Sequence, residues 1–98
     1  MSFEIEFSAD AERHVRQLSA RDRSVVLDAI EQQLSQQPNV PARNRKLVRA
    51  TPLAAWELCV QRFRVFYNVE EERVAVLVVA VGEKDGNRLV IGGEEFHL

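Results

Sequence analysis

The stretch Trp56–Tyr67, with the sequence WELCVQRFRVFY, decides the fold of this chain. Apolar side chains fall at every second position on either side of Gln61 and Arg62, so the stretch predicts two paired strands with one face in a core. The run Val74–Val81, VAVLVVAV, contains no polar residue and predicts a central strand that is covered on both faces. Together these segments predict an antiparallel meander of three strands.

The residues before this stretch predict one more strand and two helices. Phe3–Phe7 alternates aromatic or aliphatic residues with glutamates, which is typical of a half-buried strand. Ser8 is placed to cap a helix that runs to about Leu18, and Ser19 is placed to cap a second helix that Pro38 ends. Because the joint is short, the two helices should form a hairpin across one face of the sheet.

Shorter segments complete the expected fold. Lys46–Ala50 is a candidate edge strand, Gly82–Asn87 reads as a turn, and Leu89–Ile91 as a last strand before an acidic tail. Helices followed by a run of strands indicate an α+β fold. We therefore expect a single domain over residues 1–98, with an N-terminal strand, a helical hairpin and a three- to four-strand antiparallel meander.

Composition excludes several classes of protein. The chain has 98 residues, of which 46% are hydrophobic and 29% charged, as in ordinary globular domains. No apolar run approaches the roughly 18 residues of a membrane span, and the acidic N-terminus is unlike a signal peptide, so we expect a cytoplasmic protein with no membrane partner. The sequence lacks phosphate-binding glycine motifs and recognisable metal-ligand spacings, so we expect neither cofactor nor metal. Cys59 is the single cysteine and is expected as a small buried residue.

Positive charge is concentrated in the middle of the sequence. The net charge is -2, yet residues 38–68 carry a net charge of +5 and the flanking segments are acidic. Such segregation predicts a local anion-binding face, with a solvated loop and strand edge as the alternative. The basic residues of this segment are Arg43, Arg45, Lys46, Arg49, Arg62 and Arg64.

Arg64 is the strongest candidate among these cations. It lies between Phe63 and Val65, on the strand face opposite the expected core, where its guanidinium should be open to solvent and matched to phosphate oxygens. Phe66 shares that face and offers a ring on which a base could stack. The alternative for Arg64 is a salt bridge to Glu57 or to an acidic helix residue. Elsewhere, His14 is expected as a salt-bridge partner on the helix surface.

These features resemble the RelE/ParE superfamily of toxin-antitoxin toxins. The resemblance is carried by WELCVQRFRVFY, VAVLVVAV and the following GEKDGNRL, together with the order of elements, and it spans nearly the whole chain. It implies a RelE-like fold and, for RelE-type members, metal-independent cleavage of mRNA in the ribosomal A site.

The resemblance also implies roles for individual residues. Arg64 matches the family arginine that contacts the scissile phosphate, and Lys84 matches a later basic residue that acts as general acid or phosphate stabiliser. The remaining cations match ribosomal RNA contacts in place, and an RNA-binding set would comprise Arg43, Arg45, Lys46, Arg49, Arg62 and Phe66. The implied partners are a cognate antitoxin, expected to be a small helix-rich protein, and the ribosome with its mRNA. A homodimer is left open.

Departures from the family pattern keep two other functions open. The first meander strand carries Ala55, Glu57 and Cys59 where the family has basic residues, and Val90 stands where a catalytic tyrosine is expected. These departures favour a second hypothesis, a binding module of the same fold that does not cleave RNA, including a ParE-like protein whose target is DNA gyrase. A third hypothesis is an interaction domain unrelated to toxins. An adjacent reading frame encoding an antitoxin would argue against that third hypothesis.

Overall fold

A computed structural model describes residues 2–48 and 54–97 and has the predicted α+β architecture. A twisted sheet is covered on one face by a helical hairpin. The elements of the described residues are β1 Glu4–Phe7, α1 Ala9–Arg16, α2 Ala20–Leu34, β2 Arg45–Leu47, β3 Trp56–Val60, β4 Phe63–Glu70, β5 Ala75–Asp85, β6 Arg88–Ile91 and β7 Glu94–His97. Neither α1 nor α2 has the length and apolar character that a membrane crossing requires.

Both helices begin at the predicted serine caps. The Ser8 hydroxyl accepts a hydrogen bond from the backbone N–H of Ala11, and the Ser19 hydroxyl accepts one from that of Asp22, each at 3.1 Å. Each bond satisfies one of the amide donors that a helix N-terminus leaves unpaired. Local sequence therefore suffices to start α1 and α2.

The sheet is antiparallel except where the N-terminal strand joins it. Its order is β2-β3-β4-β5-β6-β7, and β1 pairs with the first part of β5 in parallel. The long strand β5 therefore has β4 on one side and first β1, then β6, on the other. The pairing with β5 sets the direction of β1, which alternation of residues alone does not determine.

The C-terminal part of the sheet differs from the sequence prediction. The predicted turn Gly82–Asn87 is wrong for its first part, because β5 continues to Asp85. Gly82 is required for packing within the sheet: a Cβ atom there would lie 2.7 Å from Cγ1 of Ile91 and 2.9 Å from the carbonyl oxygen of Val90. The segment expected as an acidic tail forms β7, which pairs antiparallel with β6.

The main core lies between the helices and the sheet. Val26, Ile30 and Leu34 of α2 pack there against the alternating residues of β3 and β4. Tyr67 donates a hydrogen bond from its hydroxyl to the carbonyl of Pro38 at 2.7 Å, and burial raises its pKa. Trp56 stacks beside it, with ring centroids 6.1 Å apart. A smaller apolar cluster of Ala54, Phe66, Ala80 and Leu89 lies apart from this core.

Candidate functional site

The face of the sheet opposite the helices holds the residues that the sequence singled out most strongly. In the strand register Glu57 of β3 lies between Lys46 of β2 and Phe66 of β4. Arg64 lies between Cys59 of β3 and Gly82 of β5. Because directly paired residues project to the same face, these side chains share one surface.

Arg64 is engaged inside the protein. Its Nε atom lies 3.9 Å from Oε1 of Glu57, and its Nη1 atom donates to the carbonyl oxygens of Gln61 and Phe63 at 2.8 Å each. Its side chain is 16% exposed. The prediction of a guanidinium open to solvent is therefore wrong, and the alternative of a salt bridge to Glu57 is confirmed. The physical reason is the register, which places Glu57 diagonally across from Arg64 on the same face.

Glu57 is the buried charge of this surface. Its side chain is 7% exposed, and its Oε2 atom lies 3.4 Å from Nζ of Lys46. A carboxylate in such surroundings is strongly disfavoured unless cations compensate it. Lys46 and Arg64 provide that compensation, one at each carboxylate oxygen.

Phe66 does not offer a surface for base stacking. It is 2% exposed and packs in the smaller apolar cluster with Ala54, Ala80 and Leu89. The prediction that its ring is accessible is wrong, because Ala54, Ala80 and Leu89 pack around it. Both faces of the central hairpin are therefore covered where Phe66 lies.

Two further predicted RNA contacts are held by intramolecular partners away from Arg64. Arg62 pairs with Asp22 of α2 at 2.9 Å and with Glu83 at 3.4 Å, and its guanidinium carbon lies 4.5 Å from the ring centroid of Phe63. Arg45 donates to the carbonyl oxygens of Val40 and Gln33, both at 3.1 Å, and to the side-chain oxygen of Gln33 at 2.9 Å. Both residues join the sheet or its turn to neighbouring segments, so the prediction that they lie on one basic face with Arg64 is wrong.

Two other predicted cations, Arg43 and Lys84, have no ion pair within residues 2–48 and 54–97. Arg43 is exposed in the loop before β2. Lys84 is partly exposed and lies two residues beyond Gly82, the register partner of Arg64, so strand alternation places it on the same face as Arg64. Arg49 lies outside the described residues, as do Ala50 and the end of the predicted edge strand.

His14 is buried, whereas the sequence predicts it on the helix surface. Nδ1 of His14 accepts a hydrogen bond from the backbone N–H of Val81 at 3.2 Å, which joins α1 to β5. The expected surface salt bridge is wrong. His14 lies three residues after Ala11 and four before Leu18, so the spacing of the apolar stripe could have identified it as an inward residue.

His14 also lines a small cavity beside the β6–β7 turn. The cavity is about 130 Å³ and includes Phe63, Glu83 and Gly92 in its wall. Burial lowers the pKa of His14, the neighbouring Arg13 acts in the same direction, and Asp10 opposes them. Among the residues that the structure describes, no group of three or more His, Cys, Asp or Glu side chains is arranged to hold a metal ion.

Comparisons with known proteins agree with the fold described above. A family model for the ParE toxin of the type II toxin-antitoxin system parDE matches residues 3–87. The toxin-antitoxin complex RelBE2 from Mycobacterium tuberculosis contains a chain with a TM-score of 0.71 and 20% identity, in an alignment covering 86% of this chain and 100% of that one. The isolated E. coli RelE toxin has a TM-score of 0.60 and 21% identity, with 85% of each chain covered. No curated protein sequence matches.

Proposed function

We propose that this chain, which belongs to the family of ParE toxins of type II toxin-antitoxin systems, acts by binding a protein target and does not cleave RNA. The resemblance to ParE-type members implies DNA gyrase as that target. The observation that carries the proposal is the position of Arg64, whose guanidinium is shared between Glu57 and two backbone carbonyls.

RNA cleavage of the RelE type would require Arg64 to contact the scissile phosphate. A phosphate at the Nε edge of Arg64 would meet the Glu57 carboxylate, which lies 3.9 Å from that nitrogen. A phosphate that contacts this nitrogen would lie close to the carboxylate, and like charges close together repel strongly wherever water is partly excluded. Moving Glu57 aside would leave a buried carboxylate with fewer compensating cations, which is also unfavourable. The geometry therefore favours a toxin that does not use Arg64 on RNA.

A cognate antitoxin is part of the same proposal. The RelBE2 structure, which shares this fold, is a complex of toxin and antitoxin. We expect a small helix-rich antitoxin that binds this chain and prevents it from reaching its target. Co-expression with the neighbouring reading frame should relieve growth arrest and allow the two proteins to be purified together.

A gyrase assay tests the proposed target. The purified chain should inhibit ATP-dependent supercoiling of relaxed plasmid by DNA gyrase, with at least about a tenfold loss of supercoiled product at a molar excess of toxin. Relaxation of the same plasmid by topoisomerase I is the control and should be unaffected. Normal supercoiling by gyrase in the presence of a folded chain that arrests growth would contradict the proposal.

RNA cleavage is the second candidate, because Arg64 and Lys84 lie on the same face of the sheet. Primer extension on a translated mRNA separates the two functions. New 5′ ends at codon boundaries, lost in a Lys84→Gln variant, would support cleavage. Unchanged transcripts during growth arrest would support the protein-binding function.

A further inference from the structure

We infer that Glu57 is a specificity-determining residue that keeps nucleic acid away from the sheet face of this toxin. We use the name Glu57 cluster for the group formed by Glu57, Lys46 and Arg64. In this cluster the protein's own carboxylate takes the position that a phosphate anion would occupy between the two cations. The inference rests on the proposed function in one respect, that the wild-type chain does not act on RNA.

In the Glu57 cluster two cations form a site for an anion, and the protein's own carboxylate occupies it. Each carboxylate oxygen faces a different cation, Oε2 at 3.4 Å from Lys46 and Oε1 at 3.9 Å from Arg64. Both separations exceed the roughly 2.7–2.9 Å of a charge-assisted hydrogen bond, so Glu57 acts mainly through its charge. The Lys46 side chain is 66% exposed, so an anion from solvent would approach from its side.

Removing the charge of Glu57 would leave two cations already in position. Lys46 and Arg64 lie on β2 and β4, the two strands that flank Glu57 on β3. The bonds from Nη1 of Arg64 to the carbonyls of Gln61 and Phe63 would still hold the guanidinium, with its Nε edge turned towards position 57. Such fixed donors favour binding because little ordering is required. The ligand class that fits is a phosphodiester of single-stranded nucleic acid.

A second carboxylate provides a matched control. Glu83 also pairs with an arginine, Arg62, at 3.4 Å, but its side chain is 49% exposed and its partner interacts with α2 as well. Glu57→Gln and Glu83→Gln change the net charge of the protein by the same amount. A difference in RNA binding between these two variants therefore reports on the Glu57 cluster and not on total charge.

The experiment measures binding of a fluorescent single-stranded RNA oligonucleotide by anisotropy over a series of salt concentrations. Glu57→Gln should bind at least about fivefold more tightly than the wild type at low salt, because an anion at the site no longer meets the carboxylate. Its plot of log Kobs against log salt should be steeper by roughly 0.7 to 1.4, which corresponds to one or two additional phosphates on a single strand. Glu83→Gln should stay near the wild type, and Glu57→Gln/Arg64→Gln should lose the gain.

Equal affinities and slopes for Glu57→Gln and Glu83→Gln would overturn the inference. If Glu57→Gln does not fold, the inference is tested on the wild type alone, by following the NMR signals of the arginine Nε–H groups. During titration with the oligonucleotide the Arg64 signal should stay fixed, and a shift that saturates would overturn the inference. Gyrase takes no part in either measurement, so failure here and failure of the proposed target are distinguishable.

Discussion

His14 connects α1 to the central strand through a hydrogen bond that depends on its protonation state. Its Nδ1 atom accepts from the Val81 N–H, and an imidazolium has no acceptor nitrogen. The charged groups near it are Arg13 and Asp10 on its own helix and Glu83 of β5, which lines the same cavity. Since burial lowers the pKa of His14 in the folded protein, the unfolded chain binds a proton more readily.

This difference predicts lower stability in mild acid. A lowered folded-state pKa means that the stability contributed by neutral His14 is fully present above the unfolded-state value of 6.5 and is lost as the pH falls below it. The free energy of unfolding should fall by about 1 kcal/mol, the usual contribution of one hydrogen bond, in urea titrations between about pH 7.5 and about pH 5. His14→Asn, which retains an acceptor but does not titrate, should show a weaker pH dependence. An equal slope in both proteins would contradict this assignment.

At the scale of elements, Arg23 of α2 holds the end of α1. Its Nε donates to the carbonyl of Val15 at 3.2 Å, and its Nη2 donates to those of Arg16 and Leu18 at 3.0 Å each. The carbonyls of Val15 and Arg16 belong to the last turn of α1, and that of Leu18 lies just beyond the C-cap Gln17. Carbonyls at a helix C-terminus have no amide donor one turn further along the helix, so they can accept from a side chain. One guanidinium therefore fixes the helical hairpin at its bend.

Arg23→Lys should loosen this bend. Lysine keeps the positive charge but cannot present several donors in a planar fork, so we expect a loss of about 1–2 kcal/mol in the free energy of unfolding. Arg21→Lys is the matched control, because Arg21 is exposed two residues earlier and makes no side-chain bond or ion pair within the part of the chain that the structure describes. That control should change stability by less than about 0.5 kcal/mol. Equal losses in the two variants would show that the three carbonyl contacts contribute nothing.

Elements that depend on local chemistry were predictable from the sequence, and those that depend on distant partners were not. The Ser8 and Ser19 caps and the alternation in Trp56–Tyr67 act within a few residues, and all three were confirmed. The sequence predicts a turn at Gly82, since the role of this residue within the sheet appears only when Ile91 packs beside it. β7 likewise forms because it pairs with β6, and no local sequence pattern predicts that pairing.

At the scale of the whole molecule, the cations of the basic segment that the structure describes do not all lie on one surface. Strand alternation placed Arg64 correctly on the face opposite the main core, but it could not show that Glu57 lies diagonally beside it. Arg45 and Arg62 belong to the same basic segment of the sequence as Arg64, yet both bind residues of α2, Gln33 and Asp22 respectively. Cations that are neighbours in the sequence therefore indicate a binding site only when the register of the strands shows that they share a surface.

Burial and strand order together predict that the molecule opens first at its C-terminal hairpin, β6–β7. The strands β4 and β5 pair with each other and are largely buried, whereas β7 pairs with β6 and its residues 94–96 are exposed. Regions with few buried contacts exchange their amide hydrogens through local openings of lower free energy. Amides of β6 and β7 should therefore show opening free energies roughly 2 kcal/mol or more below those of β4 and β5 in native-state hydrogen exchange.

A core variant tests whether this opening is independent of the rest of the fold. Val26 is fully buried between α2 and the sheet, and Val26→Ala should lower the free energy of global unfolding by roughly 1–3 kcal/mol. If the hairpin opens while the core stays folded, this variant accelerates exchange in β4 and β5 and leaves β6 and β7 unchanged, because Val26 keeps its contacts in the partly open state. Acceleration of all four strands by the same factor would mean that the hairpin and the core unfold as one unit.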